Sequence, residues 1–266
     1  MPDVLTDLSR ESIASAIEGN REAFWKDVAS RMPNAVIHDE PDLMWYTLGI
    51  PGAETKVVRA TLAPAGIDAR VEEILTDLRH HANVVWSVGH ATRPKSLGNI
   101  LTQHGMSYGW DAGAMGPRLH NLNEGRSAPT GMRTERAGNS TALGDWVRVF
   151  RMGYMDVPPE AAADPAQVRR MAGSGFGDHP SRYYVAYLDG QPVAASQLFI
   201  AAGVAGIWSV ATVPAQRRRG IGKAVTLAPM LAARDMGYEV AVLTGSQNIY
   251  EQLGFTEYLR IVSYTF

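Results

Sequence analysis

The sequence contains no cysteine among its 266 residues. This absence excludes disulfide bonds, thiolate metal sites and a cysteine nucleophile. No apolar run approaches the roughly 18 residues that a membrane-spanning helix needs. The acidic start MPDVLTDLSRES also lacks the apolar segment of a secretory signal. We therefore expect a soluble, cytoplasmic protein with no membrane partner.

The chain also lacks a large net charge. Its 25 Lys and Arg against 27 Asp and Glu give a formal charge of -2, which provides no basic field for a nucleic-acid backbone and disfavours nucleic acid as a partner. Hydrophobic residues at 45% and charged residues at 20% match ordinary globular composition. Because domains commonly run to roughly 100–200 residues, the length predicts two of them.

The first half of the chain shows a mixed α/β pattern. Apolar spacing predicts a helix over 9–31 and another over 68–81. Strands are predicted in DLMWYTLGI, TKVVRATLA and NVVWSVG, followed by a helix in SLGNILTQHG and a short strand over 115–119. Histidines cluster late in this half, but none has the His-x-x-x-His spacing of a metal-binding helix, so we predict no metal site.

The segment HNLNEGRSAPTG, residues 120–131, has the composition of an exposed linker. We accordingly predict two domains, 1–125 and 131–266. In the second, helices are predicted in TALGDWVRVFRMGYM and PAQVRRMAG, and a hairpin turns at Asp189-Gly190. A strand VAGIWSVATV, a helix reaching about Asp235 and a strand YEVAVLTGS follow. Pro229 inside that helix predicts a kink.

The loop before that helix, RRRGIG, carries the most informative pattern. Gly220 and Gly222 allow a ligand to approach the backbone, and the first N–H groups of a helix have no partners of their own, so the loop is suited to bind phosphate. The spacing is neither that of a Walker loop nor that of the three-glycine dinucleotide fingerprint, which disfavours ATP and NAD. An alternative is that the glycines only form a tight turn and the arginines are a solvated rim.

The same residues resemble the GNAT superfamily of N-acyltransferases, whose acyl-CoA site carries Arg/Gln-x-x-Gly-x-Gly/Ala. Here the match is Arg217, Gly220 and Gly222, and IYEQLGF resembles the family's Tyr-x-x-x-Gly-Phe segment. The resemblance covers about residues 131–266, and the first half resembles a degenerate copy in which APAGIDARVEE lacks the motif. It implies an α/β (α+β) fold with two GNAT-like mixed-sheet domains, of which the C-terminal one carries the acyl-CoA loop.

The resemblance also implies site residues. The acyl-pantetheine arm would pair with the strand edge formed by Val210, Ala211, Thr212 and Val213. The phosphates would lie on the loop and the start of the helix, formed by Arg217, Arg218, Arg219, Gly220, Ile221, Gly222 and Lys223. Tyr250 would be the general acid that protonates the departing CoA thiolate, for which a phenol with a pKa near 10 is suited. The alternative for Tyr250 is a core tyrosine with a satisfied hydroxyl.

No general base is evident, because GIWSVAT lacks the Glu or Asp that many members place on this strand. Candidates elsewhere in the sequence are Asp145, Asp178, His179 and Glu251. The resemblance implies an N-acyltransferase that moves an acetyl or other acyl group from acyl-CoA directly to an amine of a small-molecule acceptor. Two alternatives stay open: a non-catalytic sensor of acyl-CoA, and an acyltransferase with a carrier-protein or aminoacyl-tRNA donor.

Overall fold

The structure is a computed structural model that describes residues 3–122, 128–172, 179–245 and 248–266. Its helices are α1 Arg10–Ser30, α2 Ile67–Leu78, α3 Leu97–Gln103, α4 Ser140–Tyr154, α5 Pro165–Ala172, α6 Ile221–Asp235 and α7 Asn248–Glu251. Its strands are β1 Val36–Asp39, β2 Leu43–Thr47, β3 Thr55–Ala60, β4 Val84–Val88, β5 Ser107–Gly116, β6 Met132–Arg136, β7 Ser181–Leu188, β8 Gln191–Ala201, β9 Val204–Thr212, β10 Ala241–Gly245 and β11 Thr256–Thr265.

The chain divides into two compact units, and each unit is made of two segments. Unit 1 comprises Met1–Leu8 and Met115–Thr256, whereas unit 2 comprises Ser9–Ala114 and Glu257–Phe266. These units differ from the predicted domains 1–125 and 131–266 at residues 1–8, 115–125 and 257–266. The last difference arises because β11 pairs antiparallel with β4, from Val262 opposite Val88 to Thr265 opposite Val85.

Unit 2 contains a mixed sheet with the strand order β1-β2-β3-β4-β11-β5. The strands β1, β2 and β3 are joined as antiparallel neighbours, and β4 then pairs parallel with β3 after the crossover through α2. One face of the sheet carries an apolar core in which Val57 and Trp86 pack with Val71 and Leu75 of α2. The predicted helices and central strands of this half are therefore confirmed.

The short strand predicted over 115–119 was wrong, because β5 begins at Ser107. Its first five residues, 107–111, are exposed on both faces, although aromatic residues alternate there with small or polar ones. Tyr108 and Trp110 lie in this exposed part. The strands β1 and β6 were not predicted.

Unit 1 repeats the arrangement of unit 2. Its sheet runs β6-β7-β8-β9-β10, with antiparallel pairing from β6 to β9 and parallel pairing between β9 and β10 after the crossover through α6. Both faces are covered, since Tyr183 and Val185 pack with Trp146 of α4 whereas Tyr184 packs in a second cluster with Met230 of α6. Two units with the same succession of strands and crossover helix confirm the mixed α/β fold class.

The hairpin between β7 and β8 turns as predicted. Asp189 and Gly190 both have positive φ angles, +50° and +78°, which is the conformation of a two-residue type I′ turn. Within the described ranges, no helix combines the length and the hydropathy that crossing a bilayer requires.

Candidate active site

The strands β9 and β10 are paired over only part of their length. In the described part of the chain, their register pairs are Ala205 with Ala241 and Gly206 with Val242. Beyond these pairs β9 continues to Thr212 and β10 to Gly245. The carboxyl-terminal part of β9 therefore presents an edge to the space between two strands that run in the same direction.

A β-bulge interrupts β9 at the same place. Gln197 of β8 lies opposite Trp208, and Ala195 lies opposite Ala211, so Ser196 faces two residues of β9, Ser209 and Val210. Ser209 has φ +52°, in the left-handed region that non-glycine residues rarely adopt. A bulge leaves one residue out of the regular ladder. The bulge at Ser209 and Val210 lies at the start of the predicted Val210–Val213 edge.

The side chain of Ser209 is fixed by a short polar network. Its hydroxyl donates to Gln197 Oε1 at 3.2 Å, and Gln197 Nε2 donates to Ser181 Oγ at 3.0 Å. Gln197 and Ser181 are both buried. Because buried amide and hydroxyl groups are costly without partners, the network holds the bulge in one conformation.

The loop after β9 leads into the N-terminus of α6. Gly220 is the residue before the first helical turn and has φ +79°, a conformation that favours glycine. The Ala224 N–H donates to the Gly220 carbonyl at 3.1 Å, whereas helix geometry leaves the N–H groups of Ile221, Gly222 and Lys223 without an intrahelical acceptor. Residues 217–220 are exposed, whereas Ile221 is buried and Gly222 and Lys223 are half-buried, so the loop that leads to these donors is open to solvent.

The loop also concentrates positive charge. Arg217, Arg218, Arg219 and Lys223 lie within seven residues. Among the residues the structure describes, Arg217 is 4.0 Å from Asp156, and the other three make no ion pair. Uncompensated cations beside free helical N–H groups favour binding of an anion.

Arg217 itself is engaged with the backbone. Its Nε donates to the Thr212 carbonyl at 3.2 Å and its guanidinium also donates to the Gly153 carbonyl at 2.9 Å. Helix α4 approaches β9 closely there, because a Cβ atom on Gly153 would lie only 2.8 Å from the Thr212 carbonyl oxygen. Arg217 thus joins the ends of β9 and α4. The need for glycine at position 153 was not predicted.

Tyr250 lies at the carboxyl-terminal end of β10. A Cβ atom on Gly245, the last residue of that strand, would be 3.5 Å from Tyr250 Cε2. The Tyr250 ring also packs against Phe255, with ring centroids 5.6 Å apart. Since β9 and β10 are parallel, their carboxyl ends lie at the same edge of the sheet, and the structure therefore brings Tyr250 and the N-terminus of α6 to one edge.

Burial and the neighbouring phenol of Tyr154 raise the pKa of Tyr250 above its usual value. A raised pKa keeps the hydroxyl protonated at neutral pH, so Tyr250 is able to donate a proton and is not a base. Tyr154 is 67% exposed at the end of α4 and stacks on Phe150. No sequence motif indicates that Tyr154 lies near Tyr250.

The candidate bases have other contacts. Asp145 accepts a hydrogen bond from the Tyr187 hydroxyl at 2.8 Å, and His179 Nδ1 accepts one from the Ser181 N–H at 3.0 Å. Glu251 is exposed on α7, and Asp178 lies outside the described residues. The structure therefore singles out none of the four as a base.

Pro229 lies within α6, and the helix continues through it. Proline has no N–H, so it cannot donate to the carbonyl four residues earlier, that of Val225. The buried Ser196 hydroxyl donates to this carbonyl instead, at 2.7 Å. A hydrogen bond from β8, the strand opposite the bulge, to α6 thereby replaces the missing helical hydrogen bond.

Unit 2 preserves only part of the corresponding loop. Gly66 precedes α2 with φ +74°, much as Gly220 precedes α6. Asp68, however, places a carboxylate in the first turn of α2, where it lies 3.2 Å from His104 Nε2. Negative charge at a helix N-terminus competes with an anionic ligand, and the segment APAGIDA has none of the arginines found in RRRGIGK.

The separated parallel strand pair, and the helix that follows Gly220 between its strands, lie in a part of the chain that matches a known protein family. The model of the acetyltransferase (GNAT) family matches residues 146–255, a range that contains both motifs and Tyr250. These residues form a GNAT acetyltransferase domain.

Solved structures with the same fold cover nearly the whole chain. A GCN5-related N-acetyltransferase from Kribbella flavida has a TM-score of 0.69 at 18% identity, over 93% of this chain and 95% of that one. One from Sphaerobacter thermophilus has a TM-score of 0.64 at 17% identity, over 96% and 91%. A tandem GNAT protein from the clavulanic acid biosynthesis pathway has a TM-score of 0.64 at 13% identity, over 98% and 95%. No curated protein matches the sequence significantly.

Proposed function

We propose that this protein is an N-acyltransferase that moves an acetyl group from acetyl-CoA to an amine of a small-molecule acceptor. The observation that carries the proposal is the N-terminus of α6, where N–H groups without an intrahelical acceptor and the cations of an exposed loop follow the separated edge of β9. A GNAT domain at 146–255 supports the same donor.

In this proposal the residues of β9 and the loop bind the donor. The edge Val210–Val213 offers backbone groups to the pantetheine amides. The pyrophosphate accepts hydrogen bonds from N–H groups between Arg218 and Lys223, and the side chains of these cations neutralise part of its charge. Arg217 acts indirectly, since its guanidinium holds the backbone at Thr212 and Gly153.

The proposed reaction is direct transfer. The acceptor nitrogen forms a bond to the thioester carbonyl carbon, and an N–H group at the bulge stabilises the resulting oxyanion. The carbon–sulfur bond then breaks, the thiolate takes the proton of the Tyr250 hydroxyl, and the nitrogen releases a proton to solvent. Tyr250 recovers its proton from solvent, so the products are the amide and CoA.

A Gly222→Leu variant tests the donor site. Gly222 is within a helix, so a side chain there introduces no unfavourable φ angle but covers the N–H groups at the start of α6. We expect CoA affinity, measured by isothermal titration calorimetry, to fall by at least tenfold. The matched control is Gly144→Leu in α4, where an added Cβ meets nothing within 4 Å. Unchanged CoA affinity in Gly222→Leu would place the donor elsewhere.

Release of CoA thiol in the presence of a panel of amines tests the chemistry. An acyltransferase releases thiol in an amine-dependent manner. Tight binding of acetyl-CoA without any release would instead support the sensor that the sequence left open. A donor carried on tRNA predicts binding that weakens steeply with salt.

A further inference from the structure

Strand β6 forms the outer end of the unit 1 sheet. It is last in the strand order, and it pairs with β7 from Met132 opposite Leu188 to Arg136 opposite Tyr184. Within the described part of the chain, no strand lies along the other edge of β6. Such an edge presents N–H and C=O groups that can pair with another chain.

Alternate residues of β6 point their backbone groups towards this open edge. The Ala137 N–H donates to the Tyr183 carbonyl at 2.8 Å, and this pair extends the β6–β7 register by one residue. Hydrogen-bonded and non-hydrogen-bonded pairs alternate in an antiparallel ladder, so Arg133 and Glu135 also bond to β7. The N–H and carbonyl of Thr134, which lies between them, therefore point away from β7, and no described residue bonds to them from that side.

Two opposite charges flank this outward-pointing residue. The side chains of Arg133 and Glu135 are 59% and 44% exposed and form an ion pair within the strand. Because they are two residues apart, both lie on the same face of the sheet, where Arg133 Cζ is 4.4 Å from the centre of the Tyr187 ring. The strand thus carries one positive and one negative charge, placed symmetrically about Thr134.

Other charges near β6 lie outside this row of two side chains. Asp145 lies on the same face, but it accepts a hydrogen bond from the Tyr187 hydroxyl at 2.8 Å. Asp189 belongs to the β7–β8 turn, beyond the pair of Met132 with Leu188. Arg136 points to the opposite face of the sheet by strand alternation. The charge pattern along the row is therefore set by one arginine and one glutamate.

We propose that β6 binds β6 of a second copy of this chain, antiparallel about a two-fold axis at Thr134. The two Thr134 residues exchange both of their backbone hydrogen bonds across the axis. Arg133 of each copy lies opposite Glu135 of the other, at the non-hydrogen-bonded positions where side chains approach most closely. Opposite charges in such cross-strand pairs are favourable.

The charge pattern favours this register and a second copy as the occupant. A two-fold axis at Arg133 or at Glu135 places like charges opposite each other, and so does parallel pairing in register. A strand without the same spacing of opposite charges leaves both side chains unpaired, which is how charged edges resist foreign strands. Since β6 has five residues, the paired surface is small, and we expect a reversible dimer that depends on concentration.

Sedimentation equilibrium of the full-length protein over a range of concentrations tests the dimer. We expect the average mass to rise from that of one chain towards that of two. Arg133→Glu alone and Glu135→Arg alone each place like charges opposite each other, so each should raise the dissociation constant about tenfold. An equal mixture of the two variants should restore association, because every Glu of one variant then lies opposite an Arg of the other.

Thr134→Pro tests the backbone pairing. Proline is tolerated on an edge strand where the N–H faces solvent, so the variant should keep the native circular dichroism spectrum while losing the donor at the two-fold axis. We expect it to remain a monomer. The control is Lys26→Glu, a charge reversal at an exposed lysine paired with Asp39, which should leave the dissociation constant unchanged.

Three outcomes would overturn the proposal. These are a monomer at every concentration, a folded Thr134→Pro variant that dimerises as the native protein does, and a mixture of the two charge variants that associates no better than either alone. The mixture decides even if Thr134→Pro fails to fold, since both charge variants change only exposed side chains. The edge shares no residue with the proposed acetyl-CoA site, so failure here is distinct from failure of the proposed acyltransferase function.

Discussion

Replacing Tyr250 with phenylalanine should separate chemistry from binding. The variant keeps the ring that packs on Phe255 and removes only the proton donor. General acid catalysis contributes roughly 10²–10⁴-fold, which corresponds to about 3–5 kcal/mol of activation free energy. We expect kcat for amine-dependent CoA release to fall within that range. The affinity for acetyl-CoA should change less than about threefold, because proton donation to the thiolate acts mainly in the transition state.

The pH profile gives a second measure of the same role. Burial and Tyr154 raise the pKa of Tyr250 above 10, so its proton is present at lower pH and is lost only as the pH rises through that higher value. In the native protein a decline of kcat from this group should therefore begin only at a higher pH than an unperturbed phenol would give. Tyr154→Phe is the matched control, because it removes a neighbouring, exposed phenol and should retain most of kcat. A Tyr250→Phe variant with near-native kcat would refute the assignment, and one with native kcat but weakened acetyl-CoA binding would make Tyr250 a positioning residue.

Two further predictions concern how unit 1 holds the site. Ser196→Ala should lower the free energy of unfolding by about 1–3 kcal/mol, since it leaves the buried Val225 carbonyl without a donor. In a Pro229→Ala background the restored N–H of residue 229 should reduce that loss. If urea titrations showed the two effects to be additive within about 0.5 kcal/mol, the link between Ser196 and Pro229 would be contradicted. Gly153→Ala should destabilise by about 1–3 kcal/mol and weaken CoA binding, because its Cβ would meet the Thr212 carbonyl, whereas Gly144→Ala on the same helix should be neutral or stabilising.

The sequence was sufficient for those features that depend on local conformation. The type I′ turn at Asp189-Gly190 and the start of α6 after Gly220 both follow from residues that tolerate positive φ. The fold class was also predictable, because the pattern of strands and crossover helix is repeated in both halves. These predictions need only the periodicity and turn residues of each segment.

The features that were missed depend on partners distant in the chain. The bulge at Ser209 is set by the register of β9 against β8, and no glycine marks it. The donor that replaces the missing helical bond at Pro229 comes from Ser196, on a different element. In each case a residue of ordinary type takes its role from tertiary packing, which composition and spacing do not encode.

The pairing of β11 with β4 has a consequence for folding during synthesis. Both segments of unit 1 leave the ribosome before residue 257, whereas unit 2 begins near the start of the chain and is completed only by Glu257–Phe266. Domains generally fold in order from the N-terminus, but here unit 2, whose first segment precedes the long segment of unit 1, is completed last. Until β11 arrives, β4 presents an unpaired edge from Val85 to Val88, and such edges favour aggregation. The interval before Glu257–Phe266 emerges from the ribosome should therefore be the one in which a nascent chain most needs chaperone protection.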